Sequence, residues 1–208
     1  MQKQKTEDNQ KVFIKKEDEK ILVVAREKLF ADGQIDGIKK IDFESYQKLI
    51  EENKEFLWRS KVETDTSVKQ IIPYLIFNFQ DKYFLMQRKS SASEVRLQNK
   101  YSFGIGGHIR EKDIKGQTIF DWAKREFKEE VEYSGNFEIQ PLGLLNDESD
   151  FVGQVHTGFV FLLKGDSDQI KIRDEHKEGK LLTLEESKQF YASMENWSKF
   201  VFDFLIKS

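Results

Sequence analysis

The amino-acid sequence predicts a protein of the α/β class, with one main domain and an N-terminal addition. Apolar runs rich in β-branched residues, such as 71–79 and 154–163, are typical of strands. Apolar residues recur at helical spacing in 118–133 and again near the C-terminus. Only two prolines occur and no Gly/Ser-rich stretch is present, so nothing marks a separable second domain.

Composition and charge exclude several classes of protein. The chain has 208 residues, of which 38% are hydrophobic, and this is enough to bury a real core. Lys and Arg number 34 against 37 Asp and Glu, which argues against nucleic acid as a partner. The absence of cysteine excludes disulfides, thiolate metal sites and cysteine catalysis. No apolar run is long enough to span a bilayer and the first residues lack a signal peptide, so we expect a cytoplasmic protein with no membrane partner.

The first 66 residues divide into a tail and an extension. Residues 1–10 are polar and charged and are predicted to be disordered. Residues 11–66 are predicted to form a strand-and-helix extension packed on the core. Within it, Ile21–Val24 is a predicted buried strand, and Asp42 is the expected N-cap of an amphipathic helix in DFESYQKLIEEN. The segment 56–58, Phe-Leu-Trp, is expected to pack rather than to stack on a ligand.

The main domain is predicted to occupy 67–208 and to begin with a hairpin. Its strands are the apolar runs 71–79 and 83–87, separated by the short polar turn Gln-Asp-Lys. Arg88 and Arg96 lie in or next to the polar loop that follows. They are candidates for contacting a substrate phosphate, and the alternative of solvated surface cations is equally favoured.

Beyond residue 133 the pattern predicts further strands and a closing helix. The runs 137–145 and 154–163 are predicted strands, joined by the acidic connection NDESDFVG, which we interpret as a turn. His156 is interpreted as a hydrogen-bonded structural residue. Residues 170–172 alternate like a short edge strand. The closing helix presents one apolar face made of Trp197, Val201, Phe204 and Leu205.

A helix is predicted over 118–133 because this stretch contains no Gly or Pro and Thr118 is a suitable N-cap. The spacing i, i+3, i+4 places Glu126, Glu129 and Glu130 on one face of this helix. Carboxylates so close together repel one another, and a bound cation would relieve the repulsion. Hard divalent ions such as Mg²⁺ prefer oxygen ligands of this kind. A solvated acidic helix face is the alternative interpretation.

A glycine-rich loop precedes this helix. In YSFGIGGHI, the glycines Gly104, Gly106 and Gly107 interrupt a strand-like apolar stretch. Glycine lets a backbone approach a ligand closely, and backbone groups in such a loop become available to metal and phosphate. A glycine loop followed by Arg-Glu-x-x-Glu-Glu is a much rarer combination than either part alone, so it favours a ligand site over an ordinary turn.

This combination resembles the Nudix box, G-x5-E-x7-R-E-U-x-E-E-x-G-U, where U is an aliphatic residue. The positions that fit the box are Gly107, Arg125, Glu126, Glu129 and Glu130, and Asp113 stands where the family usually has a glutamate. The chain departs from the pattern in three ways. The spacer before Arg125 is four residues longer than usual, Phe127 replaces the aliphatic residue, and Glu132 replaces the closing glycine.

The resemblance implies a hydrolase that cleaves a phosphoanhydride bond in a nucleoside-diphosphate-linked or similar small metabolite. By the family's pattern, the cofactor would be Mg²⁺ or Mn²⁺. Its ligands would be Glu126, Glu129, Glu130 and the carbonyl oxygen of Gly106. Glu126 would also stand near the attacking water as a base. Metal ions in such a site neutralise phosphate oxygens and lower the pKa of bound water.

The same pattern implies roles for residues around the box. Arg125 belongs to the catalytic motif and would hold the loop through a salt bridge to Asp113 or Glu111. In many members a late glutamate completes the metal shell or acts as base, and here Glu178 is ranked slightly ahead of Glu175. Gly107 would lie against the substrate, together with Arg88 and Arg96 if these cations contact phosphate.

A wider likeness covers most of the chain and places it near the MutT-like branch of predicted phosphoesterases. The segments that carry it are QIIPYLIF, FLMQRK, LQNKYSFGIGGHI and GLLNDESDFVGQVHTGFVFLL. It implies an α/β/α sandwich with a mixed β-sheet and an N-terminal strand-and-helix extension. A Nudix-fold nucleotide sensor or interaction module without catalysis stays open as an alternative, as does a homodimer. The isopentenyl-diphosphate isomerase branch is disfavoured because it uses a catalytic cysteine.

Overall fold

A computed structural model describes residues 18–89, 98–113, 118–173 and 176–207. The predicted disordered tail, Arg96 and Glu175 lie outside the described residues. In the described segments, the strands are β1 Lys20–Ala25, β2 Gly37–Lys39, β3 Lys54–Trp58, β4 Val68–Phe79, β5 Lys82–Arg88, β6 Tyr101–Ser102, β7 Gly104–Gly106, β8 Val131–Tyr133, β9 Phe137–Asn146, β10 His156–Gly165, β11 Ile170–Ile172 and β12 His176–Thr183. The helices are α1 Arg26–Leu29, α2 Phe43–Asn53, α3 Arg59–Val62, α4 Ile119–Glu130, α5 Phe151–Val155, α6 Leu184–Ser187, a 3₁₀ helix Lys188–Ser193 and α7 Asn196–Ile206.

A ten-stranded mixed sheet forms the centre of the molecule. Its main path runs β12-β5-β4-β10-β9-β2. Off this path, β1 and β7 pair with β4, β6 pairs with β5, and β3 pairs with β1. Strands β4 and β10 are parallel, whereas the other pairs are antiparallel. The predicted mixed sheet is therefore confirmed, and β4 and β5 form the predicted hairpin around Gln80, whose φ is 55°. Strands β8 and β11 form a small second sheet.

Helices cover both faces of the main sheet, which confirms the predicted α/β/α sandwich. On one face, Ile50 of α2 and Phe127 of α4 are buried against Leu75 of β4. On the other face, Val201 of α7 is buried against Val160 of β10. Burial of these apolar side chains is the main favourable contribution to folding. No helix in the described segments is long and apolar enough to cross a membrane.

Two helices differ from the predicted pattern. Helix α4 ends at Glu130 rather than at Tyr133, because Val131–Tyr133 becomes β8 and pairs with β11. The sequence has no Gly or Pro at this junction, so the end of the helix depends on a tertiary strand pairing. In α7, Phe202 is buried with Val201, whereas Phe204 is only partly buried.

The predicted extension is part of the main sheet. Strand β1 pairs with β3 on one side and with β4 on the other. It also reaches the segment after the glycine loop, because Leu22 N donates to Ile109 O at 2.8 Å and Glu111 N donates to Lys20 O at 3.0 Å. The expected packing of Trp58 is wrong, since 43% of this residue is exposed and Lys20 Nζ lies 5.6 Å from its ring centroid.

Candidate active site

The glycine loop and the acidic helix meet where Glu126 lies against Gly107. Helix α4 is fixed at its start by a capping box in which Thr118 and Asp121 satisfy each other's backbone N–H groups. Buried Trp122 anchors the next turn of the helix. A Cβ atom on Gly107 would lie 2.3 Å from Oε1 of Glu126. A larger residue at this position would force the carboxylate of Glu126 to move, so the glycine lets the loop and the glutamate lie in contact.

A buried polar cluster holds the strand that leads into the glycine loop. Ser102 Oγ lies 2.8 Å from Gly104 O, and Ser198 Oγ accepts from Phe103 N at 2.9 Å. Glu195 accepts hydrogen bonds from Ser102 at 2.6 Å and from Tyr74 at 2.7 Å. These bonds connect helix α7 to the residues just before the glycine loop and fix the backbone position of the loop.

The three glutamates of α4 differ in environment. Glu126 is half-buried, Glu130 is partly buried and Glu129 is exposed. Burial, followed by the negative charges of Glu130 and Glu129, raises the pKa of Glu126 to about 7 against the opposing charges of Arg110 and Arg125. At neutral pH this carboxyl group is therefore close to half protonated. It can release or accept a proton at little cost.

Arginine side chains surround the acidic face. Arg125 Nη2 lies 3.5 Å from Asp113 Oδ2, and Arg125 Nε lies 3.4 Å from Glu129 Oε1. Asp113 is thus the closer of the two partners expected for Arg125, whereas Glu111 pairs with Lys20 at 3.8 Å. Arg125 therefore connects Asp113 of the loop to Glu129 of the helix. A residue that holds the loop in place needs these two contacts.

A histidine pair braces the other side of the loop, and its role was not apparent from the sequence. His156 Nδ1 donates to Val152 O at 2.7 Å, so in the neutral ring its Nε2 is an acceptor. His108 Nε2 lies 3.1 Å from that acceptor and 2.7 Å from Gln70 Oε1. His108 directly follows Gly107, so the pair connects the glycine loop to the starts of β4 and β10. His156 is hydrogen-bonded, as the sequence analysis predicted.

The acidic connection after β9 lies outside this site. Asp150 caps the short helix α5 by accepting from Gly153 N at 2.8 Å, so the connection is a helical turn rather than a simple turn. Glu148 accepts from Arg26 and from Lys69, each at 2.8 Å. Burial alone would raise the pKa of Glu148, but these hydrogen bonds lower it to about 2. Lys69 is fully buried, and burial lowers its pKa to about 8.

The contacts of two further predicted site residues are with groups other than Glu126. Arg88 lies at the end of β5, with Nε 3.9 Å from Glu195 Oε2. Glu178 lies on β12, where its carboxylate is 3.0 Å from Lys180 Nζ and 3.5 Å from the hydroxyl of Tyr101. None of these contacts joins Glu178 to Glu126.

The arrangement has the donor chemistry that a hard divalent cation requires. The carboxylates supply oxygen ligands. Burial, and after it repulsion by Glu130 and Glu129, raises the pKa of Glu126, and a cation would favour its charged form. Gly106, which precedes the contact with Glu126, is exposed at the end of β7. Over the residues that the structure describes, no three carboxylate or imidazole groups are already arranged to hold a metal ion. Glu129 in particular is turned toward Arg125.

Known proteins resemble this chain in sequence and in fold. Protein YmaB of Bacillus subtilis (strain 168) is 33% identical over 205 residues, which cover 91% of this chain and 98% of YmaB. The crystal structure of Tm1382, a protein assigned to the Nudix hydrolases, has a TM-score of 0.77 and 34% identity, and covers 91% of this chain and 99% of Tm1382.

A more distant structure shares the fold alone. The NUDIX domain of Shewanella oneidensis NrtR, complexed with ADP ribose, has a TM-score of 0.53 and 14% identity over 67% of this chain and 87% of that domain. No protein-family model matches the sequence.

Proposed function

Because this chain belongs to the Nudix hydrolase family, whose members act on phosphorus-containing anhydrides, we propose that it hydrolyses a phosphoanhydride bond in a small diphosphate metabolite with a divalent metal ion. The observation that carries this proposal is the contact between Glu126 and Gly107, with the pKa of Glu126 raised to about 7. A buried carboxyl group beside a glycine loop is suited to hold a cation and to accept a proton.

The metal ligands would be the carboxylates of Glu126, Glu129 and Glu130 and the backbone oxygen of Gly106. When bound, Mg²⁺ or Mn²⁺ would neutralise phosphate oxygens and lower the pKa of a water molecule. The chain's own groups have separate tasks. Glu126 would accept the proton of the attacking water, whose oxygen forms the new bond to phosphorus while the bridging oxygen leaves with its electron pair. Arg125 would keep the loop and the helix at a fixed separation.

Residues around the glutamates are proposed to contact the substrate. Gly107 has no side chain, so it would let the diphosphate approach the backbone. A Cβ atom at this position would lie against the carboxylate of Glu126. Arg88 is proposed to contact a phosphate, and Arg96 stays a prediction because it lies outside the described residues. Glu178 also stays a prediction as a base. Its contacts with Lys180 and Tyr101 give Glu126 the stronger geometric case for that role.

A hydrolysis screen tests the proposal directly. The panel contains dinucleotides, nucleotide sugars including ADP-ribose, and nucleoside triphosphates, each with Mg²⁺ and with Mn²⁺. We expect turnover of at least one diphosphate compound, and we expect Glu129→Gln or Glu130→Gln to abolish it while the fold stays intact. Glu132→Gln is the matched control, because this exposed glutamate lies on β8. Unchanged product release in either helix variant would show that these acids are not the ligands.

One observation favours the alternative of a binding module without catalysis. Glu129 is paired with Arg125 and is thereby held away from a metal-binding role. Calorimetry with the same nucleotides separates the two functions. Tight binding with no metal-stimulated hydrolysis of any compound would support the binding module and would contradict the enzyme.

A further inference from the structure

Arg88 and His176 are neighbours on two adjacent strands. Strand β12 runs antiparallel to β5, and the register pairs His176 directly with Arg88. The pairing shifts between His176 and Glu178, so Lys177 has no opposite residue and the strand bulges there. Bulges of this kind redirect side chains at the end of a strand. Two nitrogen-bearing side chains therefore stand together where β5 ends and β12 begins.

Both side chains are buried without the hydrogen bonds that burial normally requires. His176 is 4% exposed, and neither of its ring nitrogens has a hydrogen-bond partner in the described residues. Nε of Arg88 is also buried and makes no hydrogen bond there, although Glu195 Oε2 lies 3.9 Å away. Buried polar atoms in native proteins nearly always have a partner, so three such nitrogens on two neighbouring residues call for an explanation.

Arg88 starts on the side of the sheet that carries the acidic helix, and its guanidinium reaches Glu195, which bonds to Tyr74 of the opposite side. Side chains alternate along a strand, so Arg88 shares a side with Phe84 and Met86, which pack in the same cluster as Phe127 of α4. The chain also leads from α4 to this point: Arg173 N donates to Glu130 O at 3.2 Å. His176 is three residues after Arg173, so it lies at most about 10 Å from Arg173, which bonds to the end of α4. A diphosphate-linked metabolite can bridge that distance.

Local charge favours an anion at this place. Burial, together with the positive charges of Arg88 and Lys89, lowers the pKa of His176 to about 4. The ring is therefore neutral at pH 7, with one N–H donor and one acceptor. Arg88 adds a donor and a positive charge, which the carboxylate of Glu195 at 3.9 Å partly balances. A cationic guanidinium beside an unpartnered imidazole N–H is the donor set that binds phosphate oxygens.

We propose that Arg88 and His176 form an anion subsite that binds a phosphoryl group of the substrate, beside the acids of α4. This inference rests on the proposed function, because it assumes a substrate that carries a second phosphate. His176 supplies a neutral donor and Arg88 supplies the charge, so the subsite positions the phosphate without adding a second base. Arg88 was recognisable from its sequence position, whereas His176 was not.

Histidine ring signals test the contact itself. The chain contains three histidines, so histidine-selective isotope labelling gives three ring signals, and His176→Gln identifies one of them. The probe is inorganic pyrophosphate with EDTA present, so that no metal takes part. We expect the His176 signal to shift on titration, and we expect Arg88→Gln to weaken pyrophosphate binding about tenfold, a loss of ~1.4 kcal/mol. The control is Lys164→Gln, an exposed lysine on β10, which should leave binding unchanged. A His176 signal that does not move overturns the proposal.

A stability measurement separates a binding histidine from a structural one. Replacing an unpartnered buried polar group by an apolar one of similar size is neutral or stabilising. His176→Leu should therefore melt at the same temperature as the wild type or higher, while pyrophosphate affinity falls about tenfold. A lower melting temperature with unchanged affinity would show that His176 only supports the fold, and the proposal would then be wrong.

Failure of the subsite and failure of the proposed function give different results. If pyrophosphate moves the His176 signal but no compound in the hydrolysis screen is turned over, the subsite stands and the enzymatic function falls. If diphosphate compounds are hydrolysed while the His176 signal stays fixed, the enzymatic function stands and the subsite falls.

Discussion

Replacing Glu126 by Gln should stabilise the metal-free protein at high pH. The folded protein raises the pKa of this carboxyl group from 4.5 to about 7. Between those two values the folded state holds a proton that the unfolded state has released, so the free energy of unfolding falls as pH rises through this window. One unit of pKa shift corresponds to about 1.4 kcal/mol, so the loss reaches about 3 kcal/mol above pH 7. Below pH 4.5 both states are protonated and the loss disappears.

The assay is thermal unfolding of the wild type and of Glu126→Gln in EDTA at pH 5 and pH 8. For a chain of this size, about 3 kcal/mol corresponds to a rise of about 6–12 °C at pH 8. At pH 5 the gain should be under about 1 kcal/mol, because the wild-type carboxyl group is then protonated in the folded state. Glu132→Gln controls for the general removal of one negative charge. Equal gains at both pH values, or a loss at pH 8, would refute the assigned burial and repulsion at Glu126.

Three further predictions concern the loop, the metal and the buried ion pair. Gly107→Ala should lower kcat/KM about 100-fold with little change in melting temperature, because its Cβ would lie 2.3 Å from the mobile end of Glu126. Gly104→Ala is the contrasting variant and should lose stability, since its Cβ would lie 2.1 Å from a buried aromatic ring. Adding Mg²⁺ at pH 8 should raise the melting temperature of the wild type but not of Glu126→Gln; equal rises would contradict the ligand assignment. Glu148→Gln should lower the free energy of unfolding in urea by about 3 kcal/mol, because it leaves Lys69 buried without its carboxylate; an unchanged value would contradict that pairing.

Features coded by neighbouring residues were predictable from the sequence. The N-caps Asp42 and Thr118 lie where expected, because capping depends on residues only three positions apart. The acidic face of α4 follows from helical spacing for the same reason. Strand runs in β4, β9 and β10 were visible as apolar stretches. The glycine loop and the glutamates that follow were enough to indicate the family.

Features that depend on distant residues were not predictable. The pairing of His108 with His156 joins residues 48 positions apart, and Lys69 meets Glu148 across 79 positions. The pairing of β8 with β11 ends α4 early for a similar reason. No local pattern in the sequence indicates which of these partners will meet.

The sequence by itself determined the class of fold, the glycine loop and the spacing of the acids, because each of these depends on contacts within a few residues along the chain. Only the tertiary structure decided that Glu126 is buried against Gly107 with a raised pKa. It also decided that His176 stands unpartnered beside Arg88. Burial and partner choice arise when strands and helices pack together, and a pKa or an unmet hydrogen bond exists only once that packing has excluded water.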